Sequence, residues 1–411
     1  MNQGASPPTS TQRRRAATVF IFVTLLIDVL SFGLIIPVLP HLIEEFLGGD
    51  VPRAAIWYGW FQVAFLGMQF IFMPIQGALS DRFGRRPVIL ISTIGLGLDY
   101  VVMAIASTLP ILLVARMVAG MTSASLSAAN AYIADVTPQA RRAQAYGIVG
   151  IAFGLGLSIA PVVGGALGSV DMRLPFWVAA ALCAANFCYG LLVLPESLPP
   201  ENRSRTFVFA HANLLGSLRL LRRYPRVLGM IGVAALDALA HMAAPATFVL
   251  YAGYRFGWGP LMVGVTLTLS GVLQSIVQGF LVKPIVGAMG ENRALIFSLG
   301  CGTLGLTLFA LAPTGYWFWA VMPITALWGA ARPALQSLLS GAVDAREQGR
   351  LQGTVTSISS LAGIVGAIVF PIVLAIVTAS ERHDVWAGAT FFIAAAAAGV
   401  GLLLAYRVVR R

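Results

Sequence analysis

Polar residues interrupt this chain at long and fairly regular intervals. Between the interruptions lie twelve apolar stretches, at approximately 16–40, 56–79, 88–107, 111–135, 144–167, 175–194, 227–252, 261–282, 294–313, 317–340, 352–378 and 387–406. A helix needs about 20 apolar residues to cross the hydrocarbon of a bilayer. Each stretch is therefore predicted to be a membrane-spanning helix, because only a helix satisfies its own backbone hydrogen bonds in lipid. The first stretch, Ala16–Pro40, is too long for a cleaved leader, and no small-residue cleavage site follows it. The expected fold class is an all-α, multi-pass membrane protein.

Composition sharpens that picture. Of the 411 residues, 58% are hydrophobic and 10% are charged, against about 25% charged residues in an average soluble domain. A soluble protein could not hide so much apolar surface. The net charge of +11 would suit a nucleic-acid partner if it were clustered, but its placement argues otherwise. Threading the chain with the amino terminus in the cytoplasm puts 21 of the 27 Lys and Arg residues in cytoplasmic segments. Arg53, Arg173, Arg255 and Arg382 fall outside, and Arg116 and Arg332 fall within helices. This is the positive-inside bias, and it predicts an even number of helices with both termini cytoplasmic. The basic charge reports topology and contact with membrane lipid, and no nucleic-acid partner is expected. Cys183, Cys188 and Cys301 lie in apolar stretches without a CxxC pair, so neither disulfides nor a zinc site is expected.

The pattern divides in two. Residues 195–225 form the longest polar stretch, with Pro199, Pro200 and five arginines, Arg203, Arg205, Arg219, Arg222 and Arg223. They read as a cytoplasmic linker between six-helix bundles at 1–194 and 226–411. A weak internal echo supports duplication: Phe83-Gly84-Arg85-Arg86 follows the second stretch, and Met289-Gly290-Glu291-Asn292 follows the eighth. Two repeats flanking a mid-plane site are what alternating access needs.

An ionisable side chain at mid-bilayer costs at least about 2.5–3.5 kcal/mol, so each one calls for an explanation. Asp28 is central in the first stretch, Asp99 in the third and Arg116 in the fourth. A structural ion pair would account for them; so would a proton site, since a carboxylate in a cavity can change protonation as water access alternates. Asp28 is the leading proton-site candidate, with Arg116 as its expected partner, a cavity charge or a structural cation. Asp237 and His241 in the seventh stretch stand four apart on one helical face and read equally as a second proton-carrying pair or a packed contact. Arg332, before Pro333 in the tenth stretch, is assigned to a substrate cavity rather than to snorkelling. No Ser–His–Asp set, metal-spaced ligands or Walker sequence is found, so neither an enzyme nor an ATP-driven pump is expected.

The strongest local signal is Gly77-Ala78-Leu79-Ser80-Asp81-Arg82-Phe83-Gly84-Arg85-Arg86-Pro87. In its order of residue types it resembles the signature loop of the major facilitator superfamily. The resemblance implies that Asp81, Arg82, Arg85 and Arg86, with Asp135 of Ala134-Asp135-Val136, form a conformational latch. Arg116-Met117-Val118-Ala119-Gly120 resembles the fourth-helix signature of that family, associated there with proton coupling. Gly154-Leu155-Gly156 through Ala160-Pro161-Val162-Val163-Gly164-Gly165 resembles the fifth-helix signature of its antiporters, with Ala160 where glycine is usual. Pro161 should bend that helix, and Gly156, Gly164 and Gly165 should allow close packing.

Within the superfamily, residues 20–375 resemble the tetracycline/proton antiporters. Gly33 to Pro40, Ser80 to Val88, Leu98-Asp99-Tyr100, Tyr132 to Asp135, Arg255 to Trp258 and Pro333 to Gln336 carry the likeness. It implies that Asp28, Gln69 and Asp99 take part in transport. Two positions depart: the family's ninth-helix aspartate aligns with Gly302 and its eighth-helix histidine with Gln274, which leaves Gln69, Gln274 and Arg332 as candidate substrate contacts and a rewired second half. The expected function is proton-coupled efflux of a small amphiphilic drug, with tetracycline a candidate, at the bacterial inner membrane. Uptake by a proton symporter or facilitator remains the alternative, since one cavity serves both directions. No cofactor is expected beyond the proton gradient, although a divalent cation can enter as part of a substrate chelate. The chain is expected to work as a monomer.

Overall fold

The computed structural model describes residues 10–123, 125–137, 142–199, 201, 203, 225–343, 347–380 and 385–410. Most of the expected linker, including Arg205, Arg219, Arg222 and Arg223, lies outside them. The described chain is helical over most of each of its twelve apolar stretches. In order, the helices are α1 (Ser10–Ile35), α2 (Leu39–Phe46), α3 (Val51–Phe83), α4 (Arg85–Ile105), α5 (Leu109–Thr122), α6 (Ser125–Val136), α7 (Arg142–Val170) and α8 (Leu174–Val193). They continue with α9 (Pro225–His241), α10 (Ala243–Phe256), α11 (Pro260–Ile276), α12 (Val282–Ala310), α13 (Gly315–Leu327), α14 (Ala331–Gly341), α15 (Gln348–Ala379) and α16 (Ala389–Arg410).

Among the described residues, sixteen α-helices arise from twelve stretches because some spans are broken. The first span divides into α1 and α2, the fourth into α5 and α6, and the seventh into α9 and α10 at Met242. The tenth divides into α13 and α14 around a short 3-10 turn, Trp328–Ala330. These are the first and fourth spans of each six, an interruption repeated every third helix. Among the described residues, nine segments are long and apolar enough to cross a bilayer unaided. The number falls short of twelve because Pro260–Ala310 holds two spans in one run and the fourth and tenth spans are in pieces.

The run α12 is itself divided at Gly290, whose φ of 76° and ψ of 161° are not helical. Gly84, at the head of α4, has φ 106° and ψ 162°. These two glycines are the paired positions of the internal echo, and both adopt a backbone conformation that a side chain disfavours. The echo is thus one of conformation as well as sequence.

The chain packs as two compact units, Met1–Ile36 with Gly67–Phe209, and Pro37–Leu66 with Ala210–Arg411. In the second unit, α2 and the start of α3 pack with its later helices: the hydroxyl of Tyr58 and Nε2 of Gln62 both donate to the carbonyl of Pro245, at 3.2 and 2.8 Å. In both units burial is inverted relative to a soluble protein. On α4 the apolar Ile91, Leu98 and Ile105 are exposed while Asp99 and Thr93 are buried. A helix that turns its apolar side chains outward and its polar ones inward is solvated by lipid. The chain is a multi-pass membrane protein.

Tight contact between α1 and α7 builds the core of the first unit. A Cβ at Gly156 would stand 2.6 Å from Val29, and one at Gly164 would stand 2.0 Å from the carbonyl oxygen of Leu34. The expected close packing is present, and α7 runs unbroken through Pro161, with Gly165 buried beside Gly164. Gly164→Ala is expected to lose most of the folded protein, because the obstructing atom is backbone and cannot rotate away. Gly67→Ala, at a position with open space around it, should express normally. Fluorescence-detected size-exclusion chromatography of the two variants checks this.

Candidate functional site

Three groups of polar side chains stand where lipid would otherwise demand apolar ones. In the first, Asp28 of α1 is 6% exposed and faces Asn186 of α8, itself 1% exposed. Asn186 Nδ2 donates to Asp28 Oδ1 at 2.8 Å and to the carbonyl of Thr24 at 3.1 Å. Ser31, one turn on, returns its hydroxyl to the carbonyl of Ile27 at 2.8 Å. Cys183 of α8 and Tyr100 of α4 lie close enough to Asp28 to feel its charge. The sequence reading missed Asn186 because it weighed only ionisable groups. The available signal was a lone amide within Ala-Ala-Asn-Phe-Cys, since an amide in hydrocarbon also needs a partner.

Arg116 of α5 makes an ion pair with Asp99 of α4, which suits the structural cation among the three roles open to it. Its Nη2 bonds Oδ2 of Asp99, Nε lies 3.4 Å from Oδ1, and Nη2 lies 3.6 Å from the sulfur of Met103. Both side chains are almost wholly buried. A buried charge of either sign is tolerable only when so compensated.

At the junction of α3 and α4, Arg85 is clamped between two carboxylates. It bonds Asp81 one turn back, Ser80 Oγ at 3.2 Å, and Asp135 of α6 at 3.1 Å. The structure therefore brings Asp81, Arg85 and Asp135 together. Arg82 lies over the ring of Phe83, 5.3 Å from its centre, and Arg86 donates to the carbonyl of Leu191 at 2.6 Å. Glu196 was missed. Its carboxylate accepts from the backbone N–H groups of Arg85, at 2.8 Å, and Arg86, at 3.3 Å, capping α4 where a helix offers unpaired donors and a positive dipole end. Ser197 adds a bond to Asp135 at 3.0 Å. A Cβ at Gly84 would displace the Glu196 carboxylate, which adds to the positive φ that already favours glycine there. Glu196 lies 111 residues from Arg85 in the chain, beyond any local pattern.

The third group belongs to the second unit and gathers at two helix breaks. Asp237 lies one turn before the break at Met242, and Trp328 opens the 3-10 turn of the tenth span. Trp328 Nε1 donates to Asp237 Oδ1 at 2.8 Å. His241 Nδ1 lies 3.5 Å from the same oxygen and 3.0 Å from the backbone carbonyl of Asp237. The rings of His241 and Trp328 lie against each other at a tilt of 34°, with centres 3.6 Å apart. Arg332 acts on Asp237 through its charge, while its own side chain is exposed. Gln274 packs against Gly329 in the same turn, and Gln69 is half-buried on α3 of the first unit. Trp328 was not anticipated.

The Major Facilitator Superfamily model matches residues 21–367. The chain belongs to this superfamily. It is a transporter and not an enzyme, as its superfamily relatives are. The tetracycline resistance protein of class C from Escherichia coli is 36% identical over 383 residues, covering 92% of this chain and 94% of that one. The class B protein from the same organism is 33% identical over 360 residues, covering 87% and 88%. Among solved structures, that of the human organic anion transporter MFSD10 (TETRAN) superposes with a TM-score of 0.69 at 24% identity, covering 97% of this chain and all of that one. That of the nucleoside transporter NupG superposes with a TM-score of 0.75 at 15% identity, covering 95% and 98%; these two likenesses concern the fold.

For this superfamily member, the position where the tetracycline antiporters are expected to carry a ninth-helix aspartate is filled differently. A Cβ at Gly302 would stand 2.6 Å from the ring of Trp328, so the indole occupies the space an aspartate side chain would need. The same indole holds Asp237. Asp237 of the seventh span and Gly302 of the ninth thus meet the same indole.

Proposed function

We propose that this protein exports tetracycline, or an amphiphile of similar size and charge, across the bacterial inner membrane in exchange for protons. The observation that carries this reading is Asp28, a carboxylate 6% exposed inside a helix bundle and bonded by the amide of Asn186. Such a group can cycle between charged and neutral forms, whereas Asp99, locked to Arg116, is suited to holding α4 against α5. The names of the tetracycline resistance relatives supply the substrate class. Asp237, beside His241 and Arg332, serves as the second half's acidic position, with Gln69, Gln274 and Arg332 as substrate contacts and any divalent cation arriving as part of the cargo. Asp81, Arg82, Arg85, Arg86 and Asp135 form a latch that holds one conformational state. The halves at 1–194 and 226–411 alternate about the linker 195–225, with both termini cytoplasmic and a monomer in lipid as the working unit.

The coupling follows from linkage. If a proton and substrate compete for the ionised form of Asp28, each weakens the other by the same factor, so protonation from the outer side expels substrate there. Expression in bacteria lacking their own drug pumps should lower cellular tetracycline several-fold, and an uncoupler should abolish the difference. Lowered accumulation that resists the uncoupler would exclude proton coupling. Raised accumulation would reverse the direction and favour uptake, and an unchanged level with the protein confirmed in the membrane would remove tetracycline as substrate.

A further inference from the structure

Arg332 is a cation in a membrane span to which the protein gives no bonded counter-ion. It makes no ion pair and no hydrogen bond with the described residues, in contrast to Arg116, which is paired with Asp99. Its Cα stands about 12 Å of helix before Ser340, the end of its apolar stretch. A helical side chain leans toward the N-terminus of its helix, here away from that nearer end, so the cation is poorly placed to reach the interface there. Asp237 feels its charge, but that carboxylate is 6% exposed and already engaged. Trp328 Nε1 donates to it at 2.8 Å, and His241 Nδ1 lies 3.5 Å away. The other acidic residues after Pro225 are Glu291, Asp344, Glu347, Glu381 and Asp384, and all fall outside the apolar stretches.

His241 adds a second open contact. Its Nδ1 lies 3.0 Å from the backbone carbonyl of Asp237. A carbonyl can only accept, so Nδ1 carries the hydrogen whatever the state of the Asp237 carboxyl. Nε2 is then the ring nitrogen left for a ligand, on a side chain that is 38% exposed and lies against Trp328. An exposed guanidinium and an exposed imidazole around one buried carboxylate mark a water-lined surface, because ionisable groups inside a membrane face such a cavity and not hydrocarbon.

We propose that Arg332 and His241 form a subsite for an anionic oxygen of the substrate, an enolate, phenolate or carboxylate. Arg332 supplies the counter-charge and Nε2 of His241 the hydrogen-bonding group beside it. Asp237 and Trp328 act as positioning residues: the carboxylate and its backbone carbonyl orient the imidazole, and the indole supports its face. The charge of Asp237 is spent on these neighbours, so this half of the protein selects for an anionic group and not for a cation.

The inference rests on the second half lining the substrate path, and it is tested with two dyes of one xanthene scaffold and opposite charge. Fluorescein is anionic at mildly alkaline pH, and rhodamine 6G is cationic. Fluorescence anisotropy of each is measured on the purified full chain in lipid nanodiscs, with empty nanodiscs as reference. The parent should bind fluorescein more tightly. Arg332→Gln should weaken fluorescein by about tenfold or more, the worth of a hydrogen bond to a charged group, without weakening rhodamine 6G. Arg332→Lys should keep part of the preference, and His241→Leu should weaken fluorescein by a smaller factor. A parent that binds both dyes alike, prefers rhodamine 6G or binds neither overturns the inference, as does an unchanged preference in Arg332→Gln. Should Arg332→Gln not fold, Arg332→Met, which keeps the apolar stem, carries the same comparison. Tetracycline export measured in cells separates this from the function proposed above. Export without an anion preference overturns the subsite alone, whereas an anion preference without export removes tetracycline and supports the subsite.

Discussion

Cells expressing Asp28→Asn are expected to hold as much tetracycline as cells without the protein, although the variant reaches the membrane in normal amount. The substitution preserves size and can keep a hydrogen bond with Asn186, but it removes a carboxyl that can gain and lose a proton. Each unit of pH difference across the membrane is worth about 1.4 kcal/mol per proton, and without a carboxyl in this position that driving force has no point of entry. Uncoupler-sensitive export should fall by at least about tenfold, the equivalent of one such unit. Substrate exchange in the absence of a gradient should survive better than gradient-driven export, because binding and movement do not require the proton. Export in Asp28→Asn that matched the parent and still responded to the uncoupler would place the proton elsewhere, and Asp237 would be the next group to test.

The second large effect concerns stability. Arg116→Leu leaves Asp99 buried without its counter-charge, and breaking a buried ion pair by removing one partner costs about 3–5 kcal/mol. Replacing both at once, as Asp99→Asn with Arg116→Gln, removes the stranded charge and should cost less. The sign of that comparison is the test. In detergent or nanodiscs, thermal unfolding followed by thiol-reactive fluorescence at the buried Cys183 should show Arg116→Leu melting well below the parent and the double variant between them. A double variant less stable than Arg116→Leu would mean that the pair contributes more than it costs to bury, and that Asp99 alone is tolerated through another contact.

Much of this molecule is legible in one dimension because its solvent is lipid. Bilayer thickness fixes how long a helix must be, so apolar runs count spans without reference to packing. Contacts within one or two helical turns are also readable: Asp81 to Arg85 and Asp237 to His241 are both four residues apart, and both pairs meet. The breaks at Met242 in the seventh span and at Trp328 in the tenth fall at apolar residues and were not legible.

The sequence by itself determined that this is a multi-pass helical transporter, which residues are too costly to place in lipid without reason, and which loop carries the superfamily signature. Tertiary structure alone decided whom those residues meet. Arg116 takes Asp99 across 17 positions, Asn186 reaches Asp28 across 158, Glu196 caps α4 from 111 residues away, and Trp328 holds Asp237 across 91. The reason is physical. Lipid offers a buried polar group no water to fall back on, so it must take a partner from whichever helix packs beside it. Which helix that is depends on close approaches such as Gly164 on Leu34, a property of two surfaces meeting in space and not of any spacing along one chain.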